Sequence, residues 1–136
     1  MKRTGILLFG LSLLLIIGCN KDDEVDYLTP LVGTWETYSF AATGCNDPND
    51  NGTITCTGAP CFTIAINSNG TYLLTDNIDA STETGTVSVD ATTITICETG
   101  ETDCDAENYT LTGNTLLIVS TDEDDGCTLT INLEKQ

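Results

Sequence analysis

Seven cysteines, 21 carboxylates and no histidine set the chemistry open to this chain. Without an imidazole base, Ser-His-Asp and Cys-His nucleophile systems have no proton acceptor. The sequence also holds no G-x-S-x-G elbow, no H-E-x-x-H and no phosphate-cradling glycine loop. Lys21 and Lys135 stand near opposite ends, a poor arrangement for a buried catalytic lysine. Paired carboxylates are the acid–base route left, of the kind that flanks a glycosidic bond. Nearly all the acids, however, fall in expected turns and loops, where solvation accounts for them. The chain reads as non-enzymatic and without a cofactor.

The cysteines offer other chemistry. Cys45, Cys56, Cys61, Cys97, Cys104 and Cys127 follow Cys19, and an even count in a small exported chain reads as a disulfide framework. Six cysteines allow 15 full pairings, and spacing alone does not choose among them. Zinc is the weaker reading, because there is no histidine and no C-x₂-C pair. For calcium, Asp47, Asn49 and Asn51 put side-chain oxygens at positions 1, 3 and 5 of a loop with Gly52 at 6 and Ile54 at 8. That matches the front half of an EF-hand loop. The twelfth position is Gly58 rather than glutamate and no flanking helices are expected, so a solvated turn is the favoured reading and no metal is assigned. Asp122–Asp125 is a second acidic turn of the same kind.

Lys2 and Arg3, the apolar run Ile6–Ile17 and the small Gly18 have the order of a secretory signal over residues 1–18. The run is too short to span a bilayer, which needs about 20 residues. Ile16-Ile17-Gly18-Cys19 resembles a bacterial lipobox. That resemblance implies a diacylglycerol on the Cys19 sulfur, cleavage before Cys19 and a palmitate-type acyl chain on the new amine. Two or more chains anchor stably where one holds marginally. Asn20-Lys21-Asp22-Asp23-Glu24 is similar to the surface-export signal of Bacteroidetes lipoproteins. It implies an outer-membrane protein facing the cell exterior, with 19–30 as an acidic tether that ends at Thr29-Pro30.

Cleavage would remove Lys2 and Arg3 but no acid, taking the formal charge from −17 to −19 on 118 residues. That field excludes a nucleic-acid partner, which requires a basic footprint. It also opposes lying flat on an anionic membrane, so attachment falls to the lipid. The length suits one domain, 31–136, with one modest core, and a monomer is expected.

From Leu31 onward no stretch has helical periodicity. Phe62/Ile64/Ile66 alternate with Thr63/Ala65/Asn67, Ile94/Ile96 with Thr93/Thr95, and Leu129/Ile131/Leu133 with Thr128/Thr130/Asn132. Such strands have one oily face, as a half-buried antiparallel sheet requires. Eight are expected: Thr34–Ala42, Pro60–Asn67, Thr71–Asp76, Gly85–Asp90, Thr92–Glu98, Glu107–Thr112, Thr115–Thr121 and Cys127–Glu134. Asn69-Gly70 and Gly113-Asn114 mark tight hairpins, and Asp90-Ala91 a third. Short links imply a meander, and eight meandering strands bury one apolar face best by closing into a barrel.

Leu31-Val32-Gly33-Thr34-Trp35 resembles the G-x-W opening of lipocalin-like domains. Asn67–Tyr72, Gly85–Val89 and Tyr109–Leu116 are similar to later strand–turn–strand units of the small lipocalin-like lipoproteins of Bacteroidetes. The resemblance spans about Leu31 to Leu133. It implies an all-β, eight-stranded antiparallel up-and-down barrel, with Trp35 at its closed end and its open end able to take a small apolar ligand. Trp35, Phe62, Tyr72 and Tyr109 are the candidate ligand contacts, with plain core packing as the simpler role for each. The alternative is a filled barrel that presents its loops, chiefly Thr43–Ala59, to a protein or glycan. Within a barrel, Cys56 and Cys61 flank a Gly58-Ala59-Pro60 turn, and Cys97 and Cys104 close a hairpin loop. Strand eight pairing with strand one as Phe40 to Asn132 would set Cys45 opposite Cys127.

Overall fold

The computed structural model describes residues 25–136; the signal, Cys19 and the Asn20–Glu24 segment lie outside them. Ten strands occur among the described residues: β1 (Gly33–Thr37), β2 (Ser39–Thr43), β3 (Gly52–Thr55), β4 (Phe62–Ile66), β5 (Thr71–Asp76), β6 (Ser81–Val89), β7 (Thr93–Glu98), β8 (Asp105–Thr112), β9 (Thr115–Thr121) and β10 (Thr128–Lys135). Two single 3-10 turns, Thr29–Leu31 and Pro48–Asp50, are the remaining regular elements among the described residues, which hold no α-helix.

Each strand from β4 to β10 pairs antiparallel with the next. β1 lies between β4 and β10 and closes the ring. β2 continues β1 along β10, so the two act as one strand of an eight-stranded barrel. β3 pairs with β2, covering the edge that β4 leaves bare. The alternation of apolar and threonine residues dictates this closure, because only a closed wall hides every apolar face and leaves few free edges.

Four expectations need correction. The expected first strand, Thr34–Ala42, is interrupted at Tyr38, where β1 and β2 meet. Glu36 opposes Glu134 but Phe40 opposes Ile131, so one extra residue on the first strand bends it as a β-bulge does. Phe40 therefore pairs with Ile131, not Asn132. The loop expected over Thr43–Ala59 contains β3, whose residues are all exposed and carry no alternation to betray them. β6 begins at Ser81 rather than Gly85, because Ser81–Thr84 pair with Leu73–Asp76 of β5 without an apolar pattern.

The closed end is the packed end. The 3-10 turn Thr29–Leu31 folds under the barrel and brings Leu31 against Trp35, both wholly buried. The Trp35 indole Nε1 donates to the Leu31 carbonyl at 2.8 Å, so the ring is buried without an orphaned donor. Ile66, Val87, Ile94, Leu116 and Leu133 complete this floor. Each such side chain contributes about 1.5–3 kcal/mol by leaving water. Lys135 caps it from outside, its Nζ 5.2 Å from the Trp35 ring centre and 3.0 Å from the Pro30 carbonyl.

Candidate functional site

The inward positions change character from floor to mouth. On β4 they run Ile66, Ile64, Phe62 and on β10 Leu133, Ile131, Leu129, apolar to the rim. On β6 they run Val87, Gly85, Glu83; on β8 Leu111, Tyr109, Glu107, Asp105; on β9 Leu116, Ile118, Ser120. Strict two-residue alternation carries these polar groups onto the same face as the core. One side of the mouth is therefore oily and the other carries three carboxylates.

Between these walls lies a cavity of about 320 Å³. Phe40 and Phe62 face each other at its apolar side, ring centres 5.2 Å apart and tilted by 44°. On the other side, the Tyr72 hydroxyl donates to the Glu83 carboxylate. Ser120 Oγ donates to Glu107 Oε1 at 2.8 Å, from a neighbouring strand. Burial, and then the carboxylate of Glu83, push the Tyr72 phenol well above the ordinary tyrosine range. Tyr72 is thus a neutral donor at any physiological pH.

Three disulfides ring this mouth. Cys97–Cys104 closes the β7–β8 hairpin next to Ile96 and Asp105. Cys56–Cys61 ties the end of β3 to the start of β4, beside Phe62. Cys45–Cys127 clamps the ends of β2 and β10. Thr43 opposes Thr128, so Cys45 reaches Cys127 only because Gly44 adds one more residue, in the left-handed region at φ 72°. The pair comes from two local bulges rather than from a uniform Phe40–Asn132 register. The rim is held covalently where the packed floor no longer supports it.

Of the four candidate ligand contacts, Phe62 and Tyr72 line the cavity and Trp35 and Tyr109 do not. Trp35 belongs to the floor. Tyr109 points inward below the cavity, and its hydroxyl donates to the Asp90 carbonyl at 2.8 Å. In the loop considered for calcium, Asp47 Oδ1 accepts from the Asn49 backbone and side chain at 2.9 and 2.8 Å, capping the 3-10 turn. Asn51 Oδ1 accepts from the Cys45 amide at 3.2 Å. These oxygens face the loop's own donors rather than one point.

The expectation that nearly all the acids are solvated loop residues fails for Glu83, a strand residue that lines the cavity partly buried. Glu107, in an expected strand, lines it too, and Asp105 does so as an exposed residue of the rim. Glu107 was legible, since it keeps step with Tyr109 and Leu111. Glu83 and Asp105 were hidden because the expected β6 and β8 began after them. Phe40 and Ser120 also line the cavity and were missed.

A family model described as "Lipocalin-like domain" matches residues 31–118, more than half of the chain. The chain belongs to that family. A crystal structure of a DUF4847 family protein from Bacteroides vulgatus ATCC 8482 is similar at 18% identity and TM-score 0.46, covering 76% of this chain and 94% of that one. No curated protein matches.

Proposed function

We propose that this lipocalin-like protein is a lipid-anchored, surface-facing binding protein that takes a small, largely apolar molecule into its barrel. The observation that carries the binding role is the cavity of about 320 Å³, at the lower end of the range ligand pockets occupy. A barrel serving only to display loops would fill this space with its own side chains, as eight strands permit. Here Phe40 and Phe62 touch each other at one side, and together with Leu74 and Leu129 they line the space without filling it. The lipocalin-like fold supports binding rather than catalysis. Anchoring rests on Cys19 and its lipobox, and surface exposure on Lys21-Asp22-Asp23-Glu24.

Calorimetry of the full chain with 4-phenylbutanol, a neutral apolar probe, tests the binding role. Saturable heat that Leu129→Trp abolishes, by filling the cavity, is the expected result. Heat unaffected by that substitution would place the probe elsewhere and end the reading. Labelled palmitate incorporated by the wild type but not by Cys19→Ser tests the anchor.

A further inference from the structure

We infer that the molecule held in this barrel is a cationic amphiphile, an apolar body bearing an amine, quaternary ammonium or guanidinium group. The inference rests on the cavity reading and adds the charge of the occupant.

Glu83, Asp105 and Glu107 occupy inward positions on β6 and β8 and line the same space as Phe62 and Leu129. A surplus of acids over the whole chain does not explain this, because alternation offers each strand an outward face where a carboxylate is fully hydrated. Their partners within the barrel are neutral. Tyr72 donates one hydrogen bond to Glu83 and Ser120 one to Glu107, while an ionised carboxylate accepts about four. Lys135, the single Lys or Arg in the described sequence, sits outside the opposite end, over Trp35. The cavity therefore has a fixed negative wall and no countercharge from the barrel itself.

Each class of ligand meets that wall differently. A fatty-acid anion brings a fourth negative charge into a confined, partly apolar space, where like charges repel strongly. A neutral apolar molecule strips water from the carboxylates and returns nothing for it. A cation with an apolar tail satisfies both sides, its tail against Phe40 and Phe62 and its head against the carboxylates. Discrimination comes from the repulsive element as much as the attractive one.

Three probes with one body separate the possibilities: 4-phenylbutylamine, 4-phenylbutanol and 4-phenylbutyrate, titrated by calorimetry into the full chain with its disulfides formed. The amine should bind about tenfold more tightly than the alcohol, and the butyrate should give no saturable heat. Glu83→Gln/Glu107→Gln, nearly isosteric and checked for an unchanged melt, should bring amine affinity most of the way down to that of the alcohol, the exposed Asp105 at the rim remaining. Leu129→Trp should abolish both. Equal affinity for amine and alcohol, both lost in Leu129→Trp, would overturn the cationic assignment and leave the cavity reading standing. Tighter binding of the butyrate would overturn it too. Amine binding that survives Leu129→Trp would mean attraction to surface acids and would sink the inference, and no binding by any probe would sink both readings.

Discussion

The ring of Tyr72 lies over Gly85, its cross-strand neighbour on β6, where any other residue would carry a side chain. A Cβ there would stand 2.8 Å from Tyr72 Cε1 and would fall on the carbonyl oxygen of Cys97. The second obstacle is backbone and cannot rotate away. Gly85 thus lets the phenol cross the strand and reach Glu83, two residues along the same face. Gly85→Ala should destabilise the barrel by about 1–3 kcal/mol, the usual cost of overpacking. Urea denaturation measures this, and an unchanged midpoint would contradict the contact.

The three disulfides should contribute unequally. Cys45–Cys127 spans 82 positions, whereas Cys56–Cys61 and Cys97–Cys104 span 5 and 7. By the chain-entropy argument the long bridge stabilises by about 4.5 kcal/mol and each short one by about 2. Cys45→Ser/Cys127→Ser should therefore lower the melting temperature more than either short-bridge double variant. For binding the order should reverse for Cys97→Ser/Cys104→Ser, which frees the hairpin that carries Asp105. A loss of probe affinity larger than its loss of stability is the outcome to measure.

Trp35 and Phe62 should separate folding from binding. Trp35 is wholly buried in the floor and does not line the cavity. Trp35→Ala should cost about 3–5 kcal/mol, whereas Trp35→Phe should cost less and leave 4-phenylbutanol affinity unchanged. Phe62→Ala, at the mouth, should weaken that affinity with a smaller effect on the melt. If Trp35→Phe abolished binding while the protein stayed folded, the division into floor and mouth would be wrong.

How much of this was legible follows from what alternation can signal. Phe62/Ile64/Ile66 and Leu129/Ile131/Leu133 announce their strands because every inward position is apolar, and with the hairpin turns they suffice for the meander and the barrel. The same rule hides the mouth. Glu83 and Asp105 are inward but polar, so each made its strand look as though it began later. The bulges at Tyr38 and Gly44 were also invisible, since an inserted residue is seen only against its partner strand. Sequence patterning reports burial, and a binding mouth is where an inward face is not fully buried.

Alkaline pH offers a test of the Tyr72–Glu83 contact that needs no ligand. Burial and the neighbouring carboxylate hold the Tyr72 phenol above its ordinary value, while unfolded tyrosine ionises at about pH 10. The folded barrel therefore keeps a proton that the unfolded chain releases. The stabilisation is fully present below about pH 10 and is lost as pH rises toward the folded value, at about 1.4 kcal/mol per pH unit for one proton. Tyr38 and Tyr109 are also raised, by Glu36 and by burial respectively, so the wild type alone does not isolate the effect. Tyr72→Phe does: it keeps the ring over Gly85 and removes the titrating group. Between pH 10 and 12 its stability should fall less steeply than that of the wild type, by about one proton's worth of slope. Parallel slopes would mean that Tyr72 ionises in the folded barrel as freely as in water, and that its hydroxyl does not lie sealed against Glu83.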